Sequence, residues 1–576
     1  MNPAEEAAKE AHFKIRKCID TNKCFLVEAG AGSGKTHSLI EILKYIIEKH
    51  ESELLRKNQK IACITYTNAA VKEIETRIDK NPVIAPSTIH SFCWSLIAGF
   101  QTYLKEELIK MDNWQEKLEE SGINEFGLRK VVYKDPASRK INEDSITLWH
   151  DDVLELMVCL MKKEKFWIIM KNKYPIILID EYQDCNKKIA ESLKLKIEEE
   201  TIFPLIGFFG DSWQKIYSNV CGKIESSKLE TVELKSNFRS APIIVELLNR
   251  IRMELQQEVS NPDEKGTVSV YHTNDWSGTR RIERDWIGDL PDEIAHKAFK
   301  NLKELLKKEG WDFSIEKTKI LMLTHRILSK EQGYEELDQI FSTNRDEYVK
   351  KENPHIKFFA EVLEPACKAY ENKKFGEMFD IMGVRTLKIN KYEDKISWVT
   401  DLDELLKLRS EATVGEVIDY LRKTQRPHLS EEVEKREREL EKLNNSKTEE
   451  IPDYIEKLQR LRGISYQNII KSTEFIEHHT PFSTKHNVKG TESENVIIVL
   501  GRGWNQYNWN EYLEYVKNGV PSDKEDRFER NRNLFYVSCS RAKRNLVLLF
   551  TQKLSDKAME TLNFWFKSEN IYSLLI

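Results

Sequence analysis

Ala29-Gly30-Ala31-Gly32-Ser33-Gly34-Lys35-Thr36 follows an apolar run, Cys24 to Val27, and precedes Ser38 to Ile47, whose apolar positions recur with helical spacing. Strand, glycine-rich loop and helix in that order are the setting of a phosphate-binding loop. The glycines let successive backbone amides turn toward one anion, and the helix start adds a positive dipole end. Lys35 is expected to reach the β- and γ-phosphates of a nucleoside triphosphate, and the Thr36 hydroxyl to ligate Mg²⁺.

Working outward, Cys24–Glu28 and Ile61–Thr65 read as strands, each followed by a helical pattern, which is the start of a βαβ sheet. Polar and amphipathic helices follow from about Gln101 to Lys173. Pro175–Ile179 and Leu205–Phe209 are short apolar strands ending in Asp180-Glu181 and Gly210-Asp211. Acidic groups there occupy the strand ends where open α/β sheets bind ligands. A second sheet is expected from Val268–Tyr271, Ile320–Leu323, Val496–Leu500 and Leu546–Phe550, interrupted by helices from about Asp346 to Ile476. Ser430 is placed to cap a helix running to about Asn445, and Pro452 to separate it from the next.

At 576 residues the chain exceeds a single core, so about two to four domains are expected. Lys and Arg number 90 against 95 Asp and Glu, a net charge of −5 that leaves room for a local basic groove. Nine scattered cysteines without a C-x-x-C pair argue against a disulfide framework or a zinc site and fit a reducing cytosol. The charged stretch from Met1 to Lys23 has no signal-peptide core, and no apolar run is long enough to span a membrane. A soluble, cytoplasmic chain is expected.

Asp180-Glu181-Tyr182-Gln183-Asp184 carries the second chemical signal. Asp180, at the end of a buried strand downstream of a phosphate loop, is suited to hold Mg²⁺ directly or through water. Glu181 is suited to orient and deprotonate an attacking water.

Eight segments in order now resemble the superfamily 1A DNA helicases of the UvrD, PcrA and Rep type. They are Ala29–Thr36, Thr65–Asn68 with Ala70 and Lys72-Glu73, Ser87–Ser91, Asp180–Asp184, Gly210–Tyr217, Leu234–Ser240, Thr484–Glu492 and Tyr536–Ala542. The resemblance implies an α/β fold of two RecA-like domains, each with a mainly helical insertion. The first domain takes 1–100 and 174–248 with insertion 101–173, and the second takes 249–345 and 477–576 with insertion 346–476. It implies ATP as the nucleotide. Gln214 then senses the γ-phosphate, Arg239 and Arg541 reach it from the far side of a cleft, and Glu492 accepts from the ribose hydroxyl. The resemblance further implies contacts to single-stranded DNA from Thr67, Asn68, His90 and His486, with Tyr217 close to the strand.

The chain departs from that pattern in two places. It has no glutamine before Gln59, where the family reads adenine just ahead of the loop. After Tyr217 the family has an aromatic and R-G-A, but this chain has Ser218-Asn219-Val220-Cys221-Gly222, so a base-stacking platform is missing. Trp213 is the nearest substitute, although its neighbours place it toward the nucleotide. The resemblance implies an ATP-dependent 3′-to-5′ translocase and helicase on single-stranded or tailed duplex DNA, in repair or anti-phage defence. The alternative is a DNA-gated ATPase that licenses a partner. Short chains of this kind are similar to the helicase-like subunit of the Gabija anti-phage system, whose partner is an OLD-family ATPase–TOPRIM nuclease. A small-molecule kinase is disfavoured, because the later motifs would have no purpose.

Overall fold

The computed structural model describes residues 2–134, 138–199, 201–215, 220–283, 286–322, 325–383, 389, 391–444, 452–477, 482–483, 492–502 and 507–576. The chain divides into two compact units. The first holds 1–268, 512–546 and 557–570, and the second holds 269–511, 547–556 and 571–576. Among the described residues no helix is long and apolar enough to cross a membrane.

The first unit is built on six parallel strands: β1 (Phe25–Ala29), β2 (Ile61–Thr65), β3 (Ile84–Thr88), β4 (Ile176–Asp180), β5 (Leu205–Gly210) and β6 (Glu230–Leu234). Their order across the sheet is β3-β2-β4-β5-β1-β6. All residues of β2 and β5 are buried, as strands covered on both faces should be. Helices α1 (Pro3–Asp20) and α2 (Lys35–Arg56) pack with these strands through a core that includes Ile15, Leu39, Leu43 and Val27. A capping box between Asn2 and Glu5 starts α1. The β3 and β6 strands went unread in the sequence. Only Ile84 in β3, and Val232 and Leu234 in β6, are fully buried, so neither carries a continuous apolar run.

β2 and β3 end level, Thr65 beside Thr88. Helices α3 (Asn68–Arg77) and α4 (Ile89–Ile97) therefore begin at the same sheet edge, capped by Thr67 and Thr88. The segment between β3 and β4 is mainly helical but adds a small sheet of Lys130–Val132, Lys140–Ile141 and Ser145–Thr147.

A second six-stranded sheet lies mostly in the second unit. Its strands are β7 (Thr267–His272), β8 (Thr318–Met322), β9 (Phe482–Ser483), β10 (Ser493–Leu500), β11 (Ala542–Phe550) and β12 (Ile571–Ser573), in the order β9-β8-β10-β11-β7-β12. Helices fill most of the stretch between β8 and β9, and their core includes Tyr334, Tyr348, Phe359 and Tyr466. Ser430 does cap the helix Glu431–Asn444 through Val433, and Pro452 precedes the helix Asp453–Gly463. Both RecA-like sheets that the sequence implied are present.

Candidate nucleotide site

The phosphate loop joins β1 to α2, and its carbonyls are held from one side. Ser236 Oγ donates to Ser33 O at 2.8 Å, the Phe238 amide to Gly32 O at 2.9 Å, and Asn237 Nδ2 and Gln257 Nε2 to Ala31 O at 3.0 and 2.9 Å. With the carbonyls committed there, the amide edge of the loop is left for an anion. Two glycines are required by this arrangement. A Cβ on Gly30 would come within 2.3 Å of Gln257 Nε2, and Gly34 has φ of +76°. Three loop amides are already used: Gly30 N donates to Leu234 O at 3.3 Å, Ala31 N to Tyr536 Oη at 3.2 Å and Ser33 N to Gly30 O at 3.3 Å, so an anion is left the amides toward the start of α2.

Lys35 opens α2, and its ammonium lies 2.6 Å from Glu181 Oε2. Burial works against that charge, but Glu181, Asp180 and Asp211 together hold its pKa above the ordinary lysine value. Asp180 ends β4, and burial pushes its carboxyl up to about 6 against the pull of Lys35. Glu181 sits in the left-handed region at φ 51°, ψ 44°, an uncommon conformation for a non-glycine residue.

Asp180 Oδ1 is buried without a hydrogen-bond partner, and Thr36 stands in the first turn of α2. A carboxylate oxygen awaiting a ligand and a hydroxyl beside a phosphate loop suit a hard, oxygen-seeking Mg²⁺ that takes its other ligands from phosphates and water. When bound, that ion would neutralise charge developing on the phosphates.

Gln183, which the sequence reading left without a role, links two motifs. Its Nε2 donates to Glu181 Oε2, and its Oε1 accepts from the Asp211 amide at 3.1 Å. Asp211 Oδ2 accepts from Gln214 Nε2 at 2.8 Å, and Gln214 Oε1 accepts from Arg541 Nη2 at 3.3 Å. Arg541 follows helix α5 (Glu525–Cys539) and is buried. Burial, then the neighbouring Arg239, pushes its pKa down to about 9. A cation disfavoured in this way is set to gain from an arriving anion. Arg239 Nη1 donates to Ser540 O at 3.0 Å, and its Cβ lies beside Gly32. Arg239 and Arg541, expected on the far side of a cleft, both lie in the unit that carries the loop, since that unit includes 512–546.

Phe238 is another residue the sequence reading missed. It is 43% exposed, and a Cβ on Gly34 would touch its ring at 3.3 Å. Its signal was its place in Leu234–Ser240. Trp213 is no open platform. The Arg252 and Arg532 guanidiniums lie over its ring at 5.2 and 4.3 Å, and Tyr536 meets it edge-on at 5.3 Å.

Thr67 and Asn68 are exposed at the start of α3, and His90 lies in the first turn of α4, so the common end of β2 and β3 brings the three toward one edge. Thr67 Oγ1 is already used, accepting from the Ala70 amide at 3.1 Å. Burial and then His150, whose ring is 5.1 Å away, lower the His90 pKa, so the ring is neutral near pH 7. Tyr217 and His486 lie outside the described residues. Glu492 is exposed, one residue before β10 in the second unit.

The chain is also similar to known proteins over much of its length. Residues 14–219 match the family described as an AAA domain. The chain is 26% identical to the Gabija protein GajB of Bacillus cereus, covering 94% of this chain and 95% of that one. It is 21% identical to the ATP-dependent DNA helicase Rep of Buchnera aphidicola, over 94% and 93% of the two chains. It is 25% identical to the ATP-dependent DNA helicase PcrA of Staphylococcus epidermidis, over 39% of this chain and 37% of that one.

The chain is thus similar to ATP-dependent DNA helicases of the Rep and PcrA type and to GajB. Chemically, Lys35, Asp180 and Glu181 are groups able to supply what triphosphate hydrolysis requires: a cation for phosphate, a ligand for a metal and a base for water. Asp211, Gln214 and Arg541 run from that centre to α5.

Proposed function

We propose that this ATPase moves along single-stranded DNA in the 3′-to-5′ direction and opens tailed duplexes. The observation that carries the reading is the bond from Arg541 to Gln214, which puts a guanidinium in contact with the segment that follows β5. In this reading Lys35 and the loop amides hold the phosphates, and Thr36 and Asp180 hold Mg²⁺. Glu181 takes a proton from water, and Arg239 and Arg541 stabilise the transferred phosphoryl group. Thr67, Asn68 and His90, with Tyr217 and His486, grip the strand, and Glu492 binds the ribose. The test is ATP hydrolysis with and without a single-stranded oligonucleotide, with Lys35→Ala as control. Hydrolysis indifferent to DNA sinks the motor reading, and unwinding of 5′-tailed duplexes alone reverses the polarity.

A second reading has the ATPase act as a DNA-gated switch for a nuclease partner of the OLD-family ATPase–TOPRIM type. It is favoured by similarity to the Gabija protein GajB over 94% of the chain and by the covered ring of Trp213. DNA-stimulated hydrolysis without any unwinding selects this reading over the first.

A further inference from the structure

Arg252 entered no motif, yet it lies at the junction of three. It follows the helix Pro242–Ile251 and is buried. Its Nη1 donates to Asp211 Oδ1 at 2.7 Å and its Nη2 to Glu28 Oε1 at 2.6 Å. The guanidinium lies 5.2 Å from the Trp213 ring centre and 5.6 Å from that of Tyr536. Glu28 belongs to β1, two residues before Gly30. Its Oε1 also accepts from the Ser212 amide at 3.0 Å and Ser212 Oγ at 2.6 Å, and its Oε2 accepts from Tyr182 Oη at 2.6 Å.

We propose that Arg252 is a positioning residue for hydrolysis: by bridging Glu28 and Asp211 it fixes the rotamer of Asp211 and, through it, the polarity of the Gln214 amide. The argument is one of donors and acceptors. Asp211 Oδ1 is occupied by Arg252 and by the Trp213 amide at 3.0 Å, so Oδ2 is the oxygen offered to Gln214. A carboxylate accepts only, so it must take the NH₂ side of Gln214, and the amide oxygen then faces Arg541. If Asp211 rotates, Gln214 loses the contact that decides which way its amide points. A mainly structural purpose explains the bridge poorly. A cation shared by the buried Asp211 and the half-buried Glu28 leaves excess negative charge, and buried ion groups rarely improve stability over apolar packing. Lysine has no planar fork and cannot reproduce the two-pronged bridge.

The inference rests on the hydrolysis reading of Lys35 and Glu181, and its test has an arm that needs no turnover. The full chain is compared as wild type, Arg252→Lys, Arg541→Lys and the double variant. Hydrolysis is measured with saturating single-stranded oligonucleotide, and calorimetry measures affinity for ADP and for ADP–aluminium fluoride. Arg252→Lys is expected to lower kcat about tenfold or more, with KM for ATP within about threefold. ADP affinity stays unchanged while the fluoride complex binds about tenfold more weakly. In the Arg541→Lys background the same change costs less than about twofold, because both act along one path. Equal losses in both backgrounds, an unchanged kcat, or ADP affinity falling in step with the fluoride complex each overturn the proposal. If Arg252→Lys does not fold, Glu28→Gln removes the charge at the other end of the bridge. It is expected to lower kcat about threefold or more at constant ADP affinity, and an unchanged kcat refutes the idea. A wild type that binds the fluoride complex but never turns over defeats the hydrolysis reading instead, and the binding arm still judges Arg252.

Discussion

The Lys35 ammonium and the Glu181 carboxylate lie 2.6 Å apart, so the group suited to a phosphate and the group suited to water satisfy each other. An incoming triphosphate competes with Glu181 for Lys35. Glu181→Gln is therefore expected to lower hydrolysis by about 10²–10⁴-fold while leaving ATP affinity equal or higher. Parallel measurements of turnover and of fluorescent-nucleotide binding check this. Weaker ATP binding in the variant contradicts the competition.

Asp180 supplies a pH dependence whose sign follows from its environment. Burial holds its carboxyl at about 6, above the ordinary 3.8, so the folded state binds the proton more tightly than the unfolded chain. The charged form then costs stability: nothing below about pH 4, progressively more toward 6, and the full amount above. Asp180→Asn is expected to raise the nucleotide-free Tm at pH 8, leave it unchanged near pH 4, and abolish hydrolysis. The kcat/KM of the wild type falls as pH drops through about 6, because Mg²⁺ needs the ionised carboxylate. Melting curves at the two pH values decide the first point, and a lower Tm for the variant at pH 8 refutes it.

Gly30→Ala drives a methyl group to 2.3 Å from Gln257 Nε2, the donor that holds Ala31 O. Overpacking of this kind costs about 1–3 kcal/mol. Because the displaced group supports the loop, KM for ATP is expected to rise about tenfold or more, a loss of about 1.4 kcal/mol in binding. Steady-state kinetics test it, and an unchanged KM shows that Gln257 gives way freely.

In the second unit, Glu364 accepts from Arg409 Nε at 3.0 Å and from Tyr466 Oη at 2.9 Å, all three buried. Glu364→Gln leaves the Arg409 charge without its buried partner, so unfolding free energy is expected to fall by about 3–5 kcal/mol. Urea unfolding measures this. A change below about 1 kcal/mol means that solvent reaches the pair.

Much of the fold was legible because parallel strands with two covered faces are written as apolar runs. Ile61–Thr65 and Leu205–Phe209 announce themselves, whereas Ile84–Thr88 is buried only at Ile84 and Glu230–Leu234 only at Val232 and Leu234, so neither does. In the site, Lys35, Asp180 and Glu181 were readable from local context. Arg252 and Gln183 were not, since their meaning lies in partners such as Glu28, which is 224 residues from Arg252. Glu28 did leave a trace, a charged residue at the end of an otherwise apolar strand. The positions of Arg239 and Arg541 beside the loop depend on where the chain returns, and no spacing encodes that.

The Ala31 amide and the Tyr536 hydroxyl are separated by 505 positions along the chain. Arg541 and the Ser540 carbonyl that receives Arg239 are made later still. During synthesis the phosphate loop leaves the ribosome early, and domains fold as they appear. The wall that α5 contributes is absent until almost the whole chain has been translated. A nascent chain can thus bury β1 and α2 long before it owns a complete hydrolytic centre. On the proposed reading, hydrolysis waits for α5 to be made.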